Sequence, residues 1–359
     1  MRRVLVAGGG RIGRMTGHFL STSGDYRVRV IDPSAEALSW FEANRPEIER
    51  VQGDVADAAV LDKALEECWA VCSCAPFHCN PGIAERAKAA GVHYLDLTED
   101  VAVTKKVMTL AEGADTAFVP QCGLAPGFIA IAGRHLARGM ERIRELRMRV
   151  GALPRHPANM LGYNLTWSTA GLINEYLHPC EAIDGGEFTT VAALEGLERL
   201  VVDGVEFEAF NTSGGLGTLA ESLMGRADRV NYKTIRFPGH RDLVWFLLHE
   251  QGFAKDPEGL GRLWEREIPG TEDDQVVVYV SASGLVDGRL IERTHALRVL
   301  HAEFDGLPWT AIQITTAAGL CAVVDLLAEG RLPQKGFVRM EDVDYGEFIA
   351  NRFGRHYAG

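Results

Sequence analysis

The stretch Val4-Leu5-Val6-Ala7-Gly8-Gly9-Gly10-Arg11-Ile12-Gly13 decides the fold. A short apolar run, the pattern of a buried strand, ends in Gly-x-Gly-x-x-Gly and gives way to a helical pattern. Each glycine has a task in such a unit. Gly8 permits the tight turn, Gly10 lets the backbone approach a pyrophosphate, and Gly13 lets helix and strand pack closely. Arg11 and Ile12 open the helix, whose free N–H groups and partial positive charge favour a phosphate.

The alternation continues beyond this unit. Strands are expected at residues 3–7, 27–31, 51–52, 70–74, 93–97 and 116–119, with helices at 12–21, 35–44, 60–67, 82–90 and 101–112. Strand–helix alternation implies parallel strands and right-handed crossovers, hence an α/β, doubly wound Rossmann sheet. Asp32 ends the second strand, 19 residues past Gly13. An acid there bonds the ribose hydroxyls and repels a 2′-phosphate, so NAD is expected and NADP disfavoured. Asp54 ends the third strand and either meets the adenine or closes a plain turn. Ala75 and Pro76, after the fourth strand, are expected at the same cofactor edge.

Ligands of an open parallel sheet sit at the carboxyl ends of its strands. His78 follows strand four, Asp96 strand five and Cys122 strand six. Each has a bland role open to it: a neighbour of a helix cap, a helix N-cap, a packed thiol. Their convergence on one edge makes them candidate catalytic groups, with Asp96 the first choice for a base, then His78, then Cys122.

After Pro126-Gly127 the pattern changes. Residues 145–150 alternate, with Leu146, Met148 and Val150 on one face and Glu145, Arg147 and Arg149 on the other. That is a half-exposed strand of a mixed or antiparallel sheet. Residues 276–283 and 293–301 read similarly, joined at Val286-Asp287-Gly288. A second, α+β domain with a mixed sheet is therefore expected over 124–308, after a first domain over 1–123. Residues 310–329 form one long helical pattern closed by Gly330. Tyr163 and Trp167 are four apart, the spacing of one helical face, and read as core. Arg155, Lys233, Arg236 and His240 are candidate substrate-binding groups. Lys233 and Arg236 are three apart in a strand-like run, so they point to opposite faces. His240 follows the turn Pro238-Gly239, which could aim it into a cleft.

Composition limits the partners. The 359 residues carry 37 basic against 49 acidic groups, a formal charge of −12. That average field repels nucleic acid and anionic membranes, so neither is expected as a partner. The sequence is read as holding no apolar run near the roughly 18 residues of a membrane span. The apolar stretch after Met1-Arg2-Arg3 stops at Gly8, which argues against a secretory signal. Seven cysteines without a regular framework read as free thiols in a reducing cytoplasm; no metal site is expected.

These residues carry a resemblance. The chain resembles the saccharopine dehydrogenase family and, within it, looks most like lysine 6-dehydrogenases. The markers are the Gly8–Gly13 loop, Gly91-Val92-His93-Tyr94-Leu95-Asp96-Leu97, Gly123-Leu124-Ala125-Pro126-Gly127 and Val150-Gly151-Ala152-Leu153-Pro154. Two more are Glu208-Ala209-Phe210-Asn211-Thr212-Ser213-Gly214-Gly215 and Asn231-Tyr232-Lys233-Thr234-Ile235-Arg236-Phe237-Pro238-Gly239-His240. Ala152 stands where members often have a second glycine. Gly162-Tyr163-Asn164-Leu165-Thr166-Trp167-Ser168 looks more like saccharopine reductases. The resemblance implies that segment 309–359 returns to complete the Rossmann domain and that the second domain builds a homodimer. It also implies NAD-dependent oxidation of a C–N bond on a lysine-type amino acid, with hydride transfer, an imine and its hydrolysis. The alternatives are a non-catalytic NAD-sensing protein and a polyamine-forming reductase on the same scaffold.

Overall fold

The computed structural model describes residues 1–358. The chain forms two compact units, Met1–Phe128 with Gln313–Ala358, and Ile129–Ile312. In the first, the elements run β1 (Arg2–Ala7), α1 (Arg11–Thr22), β2 (Tyr26–Asp32), α2 (Ala35–Asn44), β3 (Glu49–Gln52) and α3 (Ala58–Leu65). They continue through β4 (Ala70–Ser73), α4 (Asn80–Ala90), β5 (His93–Asp96), α5 (Val101–Ala111) and β6 (Ala117–Val119). The sheet order is β6-β5-β4-β1-β2-β3, with the short strand Gly336–Phe337 added beside β6. Every pairing is parallel. This is the Rossmann arrangement read from the alternation.

Parallel strands with helices on both sides bury both faces. Leu5, Ala7, Ile31, Val71, Tyr94 and Phe118 pack on one side with Leu61, Ile83, Ala87 and Val107 from α3, α4 and α5. On the other side a Cβ at Gly17 of α1 would touch the Phe41 ring of α2, and Cys321 Sγ reaches the carbonyl of Thr16. Cys321 belongs to a helix over Ala311–Ala328. That helix corrects one sequence reading. It is 18 residues long and apolar enough to cross a membrane, but 89% of it is buried in the fold. Its apolar character is that of a core helix, enclosed all round.

A buried polar knot ties this returning segment to the sheet. Asp325 accepts from Tyr26 Oη at 2.6 Å, from Asn351 Nδ2 at 3.0 Å and from both arms of Arg352, at 2.8 and 2.7 Å. Burial pushes the Asp325 carboxyl up, but these donors outweigh it and hold it below the ordinary value.

The second unit begins within α6 (Phe128–Leu136), followed by β7 (Arg142–Pro154), α7 (Thr169–Leu177), β8 (Cys180–Asp184), β9 (Glu187–Val191), β10 (Glu198–Val202) and β11 (Val205–Asn211). Then come α8 (Leu219–Leu223), β12 (Val230–Arg236), α9 (His240–Trp245), α10 (Pro257–Glu267), β13 (Asp274–Val286) and β14 (Arg289–Leu300). The main sheet runs β10-β11-β12-β7-β13-β14 and is mixed: β12 and β7 are parallel, the other neighbours antiparallel. Asp287 and Gly288, at φ of 49° and 70°, make the β13–β14 turn. Such left-handed pairs suit the twist of a two-residue hairpin.

β7 is longer than the alternation over 145–150 suggests. From Met148 to Pro154 every residue is buried, so both faces are covered and the period disappears. A separate apolar core joins Leu172, Tyr176, Val244, Leu248, Leu260 and Trp264 of the helical layer. Tyr163 and Trp167 pack into it from irregular backbone rather than from a helix. Core packing is therefore right for them and helical spacing is not.

The polar knot generates a stability prediction. Asp325→Ala strands Tyr26 and half of Arg352 and should lower unfolding free energy by about 3 kcal/mol in urea denaturation. A carboxyl held low stabilises the fold above its unfolded value. The wild-type advantage should therefore fade as pH falls below about 4.

Candidate functional site

In the first unit the glycine loop lies against the end of β4. Gly8 has a φ of 105°, and a Cβ there would sit 2.8 Å from the carbonyl oxygen of Cys74 and 3.1 Å from the amide of Ala75. The loop is thus brought beside Ala75 and Pro76. A Cβ at Gly13 would run into the Gly8 carbonyl, whereas one at Gly10 would meet nothing within 4 Å. Gly13 is needed by the fold; the space over Gly10 is open. No side chain caps α1 at Gly10. Its first N–H groups therefore remain free to bind an anion.

Asp32 lies at the end of β2 beside that loop. Its Oδ2 accepts the Gly9 N–H at 2.7 Å and its Oδ1 the Ser34 N–H at 2.8 Å. A carboxylate so fixed presents negative charge where an adenosine ribose would lie. Open backbone, uncapped helix and fixed acid all fit a dinucleotide. Asp54 is exposed and closes its own turn by accepting the Ala56 N–H at 2.9 Å. Among the described residues no group of three or more His, Cys, Asp and Glu is placed to hold a metal.

The three catalytic candidates reach one edge, but their surroundings differ. His78 is exposed on the short turn Phe77–Cys79 after β4. Asp96 is 0% exposed. Its Oδ2 takes the Tyr94 hydroxyl at 2.7 Å and its Oδ1 takes the amides of Thr98 and Gln121, both at 2.9 Å. Burial raises its carboxyl against these bonds. With no surface and three donors, Asp96, the first choice for a base, staples β5 to the chain after β6. Cys122, the third choice, is enclosed as well. It is fully buried, its thiol donates to the Val119 carbonyl at 2.7 Å, and burial pushes the thiol well above its ordinary value. A thiol that stays protonated is no nucleophile or base.

The sequence reading passed over Glu99, three residues beyond the end of β5. It is half-buried, and burial pushes its carboxyl up to about 7, with Asp100 and Asp96 adding repulsion. Extending the strand-end search by a few residues would have found it.

In the second unit Arg236, at the end of β12, is 2% exposed. Its Nε donates to Tyr176 Oη at 3.1 Å, and its Nη1 to Thr234 Oγ1 at 2.7 Å and to the Ile235 carbonyl at 2.8 Å. The guanidinium lies 5.0 Å from the Tyr163 ring centroid. No carboxylate pairs with it among the described residues. Lys233, on the opposite face of β12, is spent. Its Nζ contacts Glu198 at 2.7 Å, and Arg149 shares that acid. Arg155 pairs with Asp273 at 3.5 Å, and its backbone N–H donates to the Asp273 carbonyl at 3.0 Å. Both of these candidate substrate-binding groups already have acidic partners in the fold.

His240 is 1% exposed and does not point into open space, a further correction. Its Nδ1 is 2.9 Å from the Leu161 carbonyl and its Nε2 3.0 Å from Tyr176 Oη. A carbonyl only accepts, so Nδ1 carries the proton and Nε2 accepts from the tyrosine. Burial, with help from the Arg236 charge, pushes the imidazole down to about 3. His240 therefore stays neutral and positions Tyr176 against Arg236. Glu208, quoted in the sequence only as part of a family marker, is buried. It accepts the Gly239 and Arg241 amides at 2.8 and 2.7 Å, fixing the turn that carries His240.

Comparisons with known proteins cover both units. The family model described as the saccharopine dehydrogenase NADP binding domain matches residues 4–119, and that described as the saccharopine dehydrogenase C-terminal domain matches residues 123–356. A relative from Pyricularia oryzae, saccharopine dehydrogenase [NADP(+), L-glutamate-forming], is 24% identical over 330 residues, covering 87% of this chain and 71% of its own. The solved apo saccharopine dehydrogenase (L-Glu forming) of Saccharomyces cerevisiae is similar in fold. Its TM-score is 0.79 at 16% identity, over 98% of this chain and 97% of that one.

The two glycines should respond differently to substitution. Gly10→Val is expected to keep the melting temperature, since its side chain enters open space, and to abolish dinucleotide binding. Gly13→Val is expected to destabilise the fold itself. Thermal denaturation and cofactor titration by fluorescence separate the two outcomes.

Proposed function

The chain belongs to the saccharopine dehydrogenase family, and from that premise we propose a pyridine-nucleotide-dependent oxidoreductase that acts on the C–N bond of a lysine-type amino acid. The observation that carries the substrate class is Arg236, a buried guanidinium in no direct ion pair among the described residues, with buried Glu175 the carboxylate that acts on its charge. Burying an unpaired charge is costly, and the cost is offset when a ligand carboxylate completes the pair. The Tyr163 and Tyr176 rings wall the site, and Tyr176 and Thr234 hold the fork in place. An amino-acid carboxylate matches this receptor in charge and shape.

The cofactor in this reading is NAD. The matching family model and the Pyricularia relative both carry NADP in their names. Here the Asp32 carboxylate, bonded to Gly9 and Ser34, stands where a 2′-phosphate would bring two more negative charges. When bound, the nicotinamide accepts a hydride. Lysine 6-dehydrogenase-like and saccharopine dehydrogenase-like reactions share this chemistry and differ in what the amine nitrogen bears.

A panel of amines and amino acids with NAD or NADP, followed by nicotinamide absorbance, tests the reading. NAD-dependent turnover of a lysine-type substrate is expected; tight NAD binding without turnover would favour the sensing role. Asp32→Ser should narrow the preference for NAD over NADP by about 1–3 kcal/mol. Arg236→Gln should leave NAD affinity unchanged and raise the amino-acid KM by about 10–100-fold. An unchanged KM would remove the support for a carboxylate receptor at Arg236.

A further inference from the structure

Oxidation of a C–N bond starts from a neutral amine, because an ammonium nitrogen has no lone pair to form the C=N bond. A group on the protein must take that proton. On the proposed oxidoreductase reading, the carboxyl edge of the first sheet is where it must stand. The glycine loop and Asp32 follow β1 and β2, so the cofactor's far end extends over β4, β5 and β6.

The acids on that half are few, and the thiols Cys74 and Cys79 beside β4 are raised by burial. Asp96 has no surface and three donors, and Cys122 is buried with its proton held by a carbonyl. Asp100 caps α5, accepting the Val103 N–H at 2.8 Å. Glu99 is unlike them. It lies between β5 and α5, is half-buried so that it reaches the surface, and forms no ion pair among the described residues. It is a carboxylate outside any such pair at the place where a substrate amine must lose its proton.

We propose that Glu99 is the catalytic base, accepting a proton from the substrate ammonium. The Glu99 carboxylate takes one proton and becomes a carboxylic acid, leaving the nitrogen lone pair free. The carbon–hydrogen bond then breaks as the C=N bond forms. Its two electrons leave with the hydrogen as hydride to the oxidised nicotinamide nucleotide, and the substrate becomes an iminium ion. Water adds to the iminium carbon and yields carbonyl and amine. Asp96 and Asp100 are the charged groups that act on Glu99, and both repel its ionised form. Burial works in the same direction, so the carboxylate exchanges its proton near neutral pH rather than far below it.

This placement carries a thermodynamic mark that does not depend on turnover. A carboxyl whose value is raised on folding binds more protons in the native than in the unfolded state. Stability therefore falls as pH rises from the unfolded value near 4.5 to the folded value near 7. Glu99→Gln removes that loss and should raise the melting temperature above neutral pH, with no gain in acid.

The experiment compares full-length wild type, Glu99→Gln and His78→Ala, measuring kcat/KM for the amino acid against pH, NAD affinity and melting temperature. Wild-type kcat/KM should rise with pH along a limb centred near 7. Glu99→Gln should keep NAD affinity, lose about 10²–10⁴-fold in kcat and lose that limb. A limb that survives in Glu99→Gln and vanishes in His78→Ala overturns the proposal in favour of the imidazole. So does near-normal turnover by Glu99→Gln. Wild type that oxidises no amine overturns the oxidoreductase reading itself. A Glu99→Gln protein no more stable than wild type at alkaline pH overturns the strained carboxylate separately.

Discussion

Parallel pairing is the constraint on which the first unit depends. Because every strand of its sheet runs the same way, every carboxyl end lies on one edge. The glycine loop, Asp32, His78, Asp96, Glu99 and Cys122 share that edge although they span more than a hundred residues of chain. Parallel strands require long crossovers, and the helices that serve as crossovers bury both sheet faces. The edge is then the place left for polar groups to gather. Gly13 sets how closely α1 can approach β1, and so where the free N–H groups of its first turn stand.

On that edge, burial sorts residues that look alike in the sequence. Asp96 and Glu99 are three apart and both carboxylates. One is enclosed and held by three donors, the other reaches solvent. The first joins β5 to the chain after β6. The second has its proton affinity raised by burial, with Asp100 and Asp96 repelling its ionised form. A fold that leaves a carboxylate unpaired in low dielectric gives up stability there, and such sites are where chemistry is found.

The second unit shows the same logic with positive charge. Lys233, Arg149 and Glu198 neutralise one another on one face of the mixed sheet, while Arg155 is matched by Asp273. Arg236 alone among these cations has no direct ion pair: hydroxyl, carbonyl and aromatic ring touch it, and buried Glu175 acts on its charge from further away. The Glu208 carboxylate that anchors the Gly239–Arg241 turn, and the His240–Tyr176 bond behind it, hold that shell in shape.

The sequence by itself determined the parallel sheet, the phosphate loop, the acid at the end of β2 and the β13–β14 hairpin. These depend on local periods and on glycines whose backbone demands are visible one residue at a time. Only the tertiary structure decided which candidates have partners. Asp96, Cys122, Lys233, Arg155 and His240 are legible as chemistry but not as burial, because their neighbours come from distant segments: Gln121 for Asp96, Glu198 for Lys233, Asp273 for Arg155. The helical layer of α7, α9 and α10 was equally hidden, since irregular backbone at Tyr163 and Trp167 contributes to its core. The apolar helix Ala311–Ala328 is the clearest case. Composition alone suits it to a bilayer, and only the sheet packed around it identifies its solvent as protein.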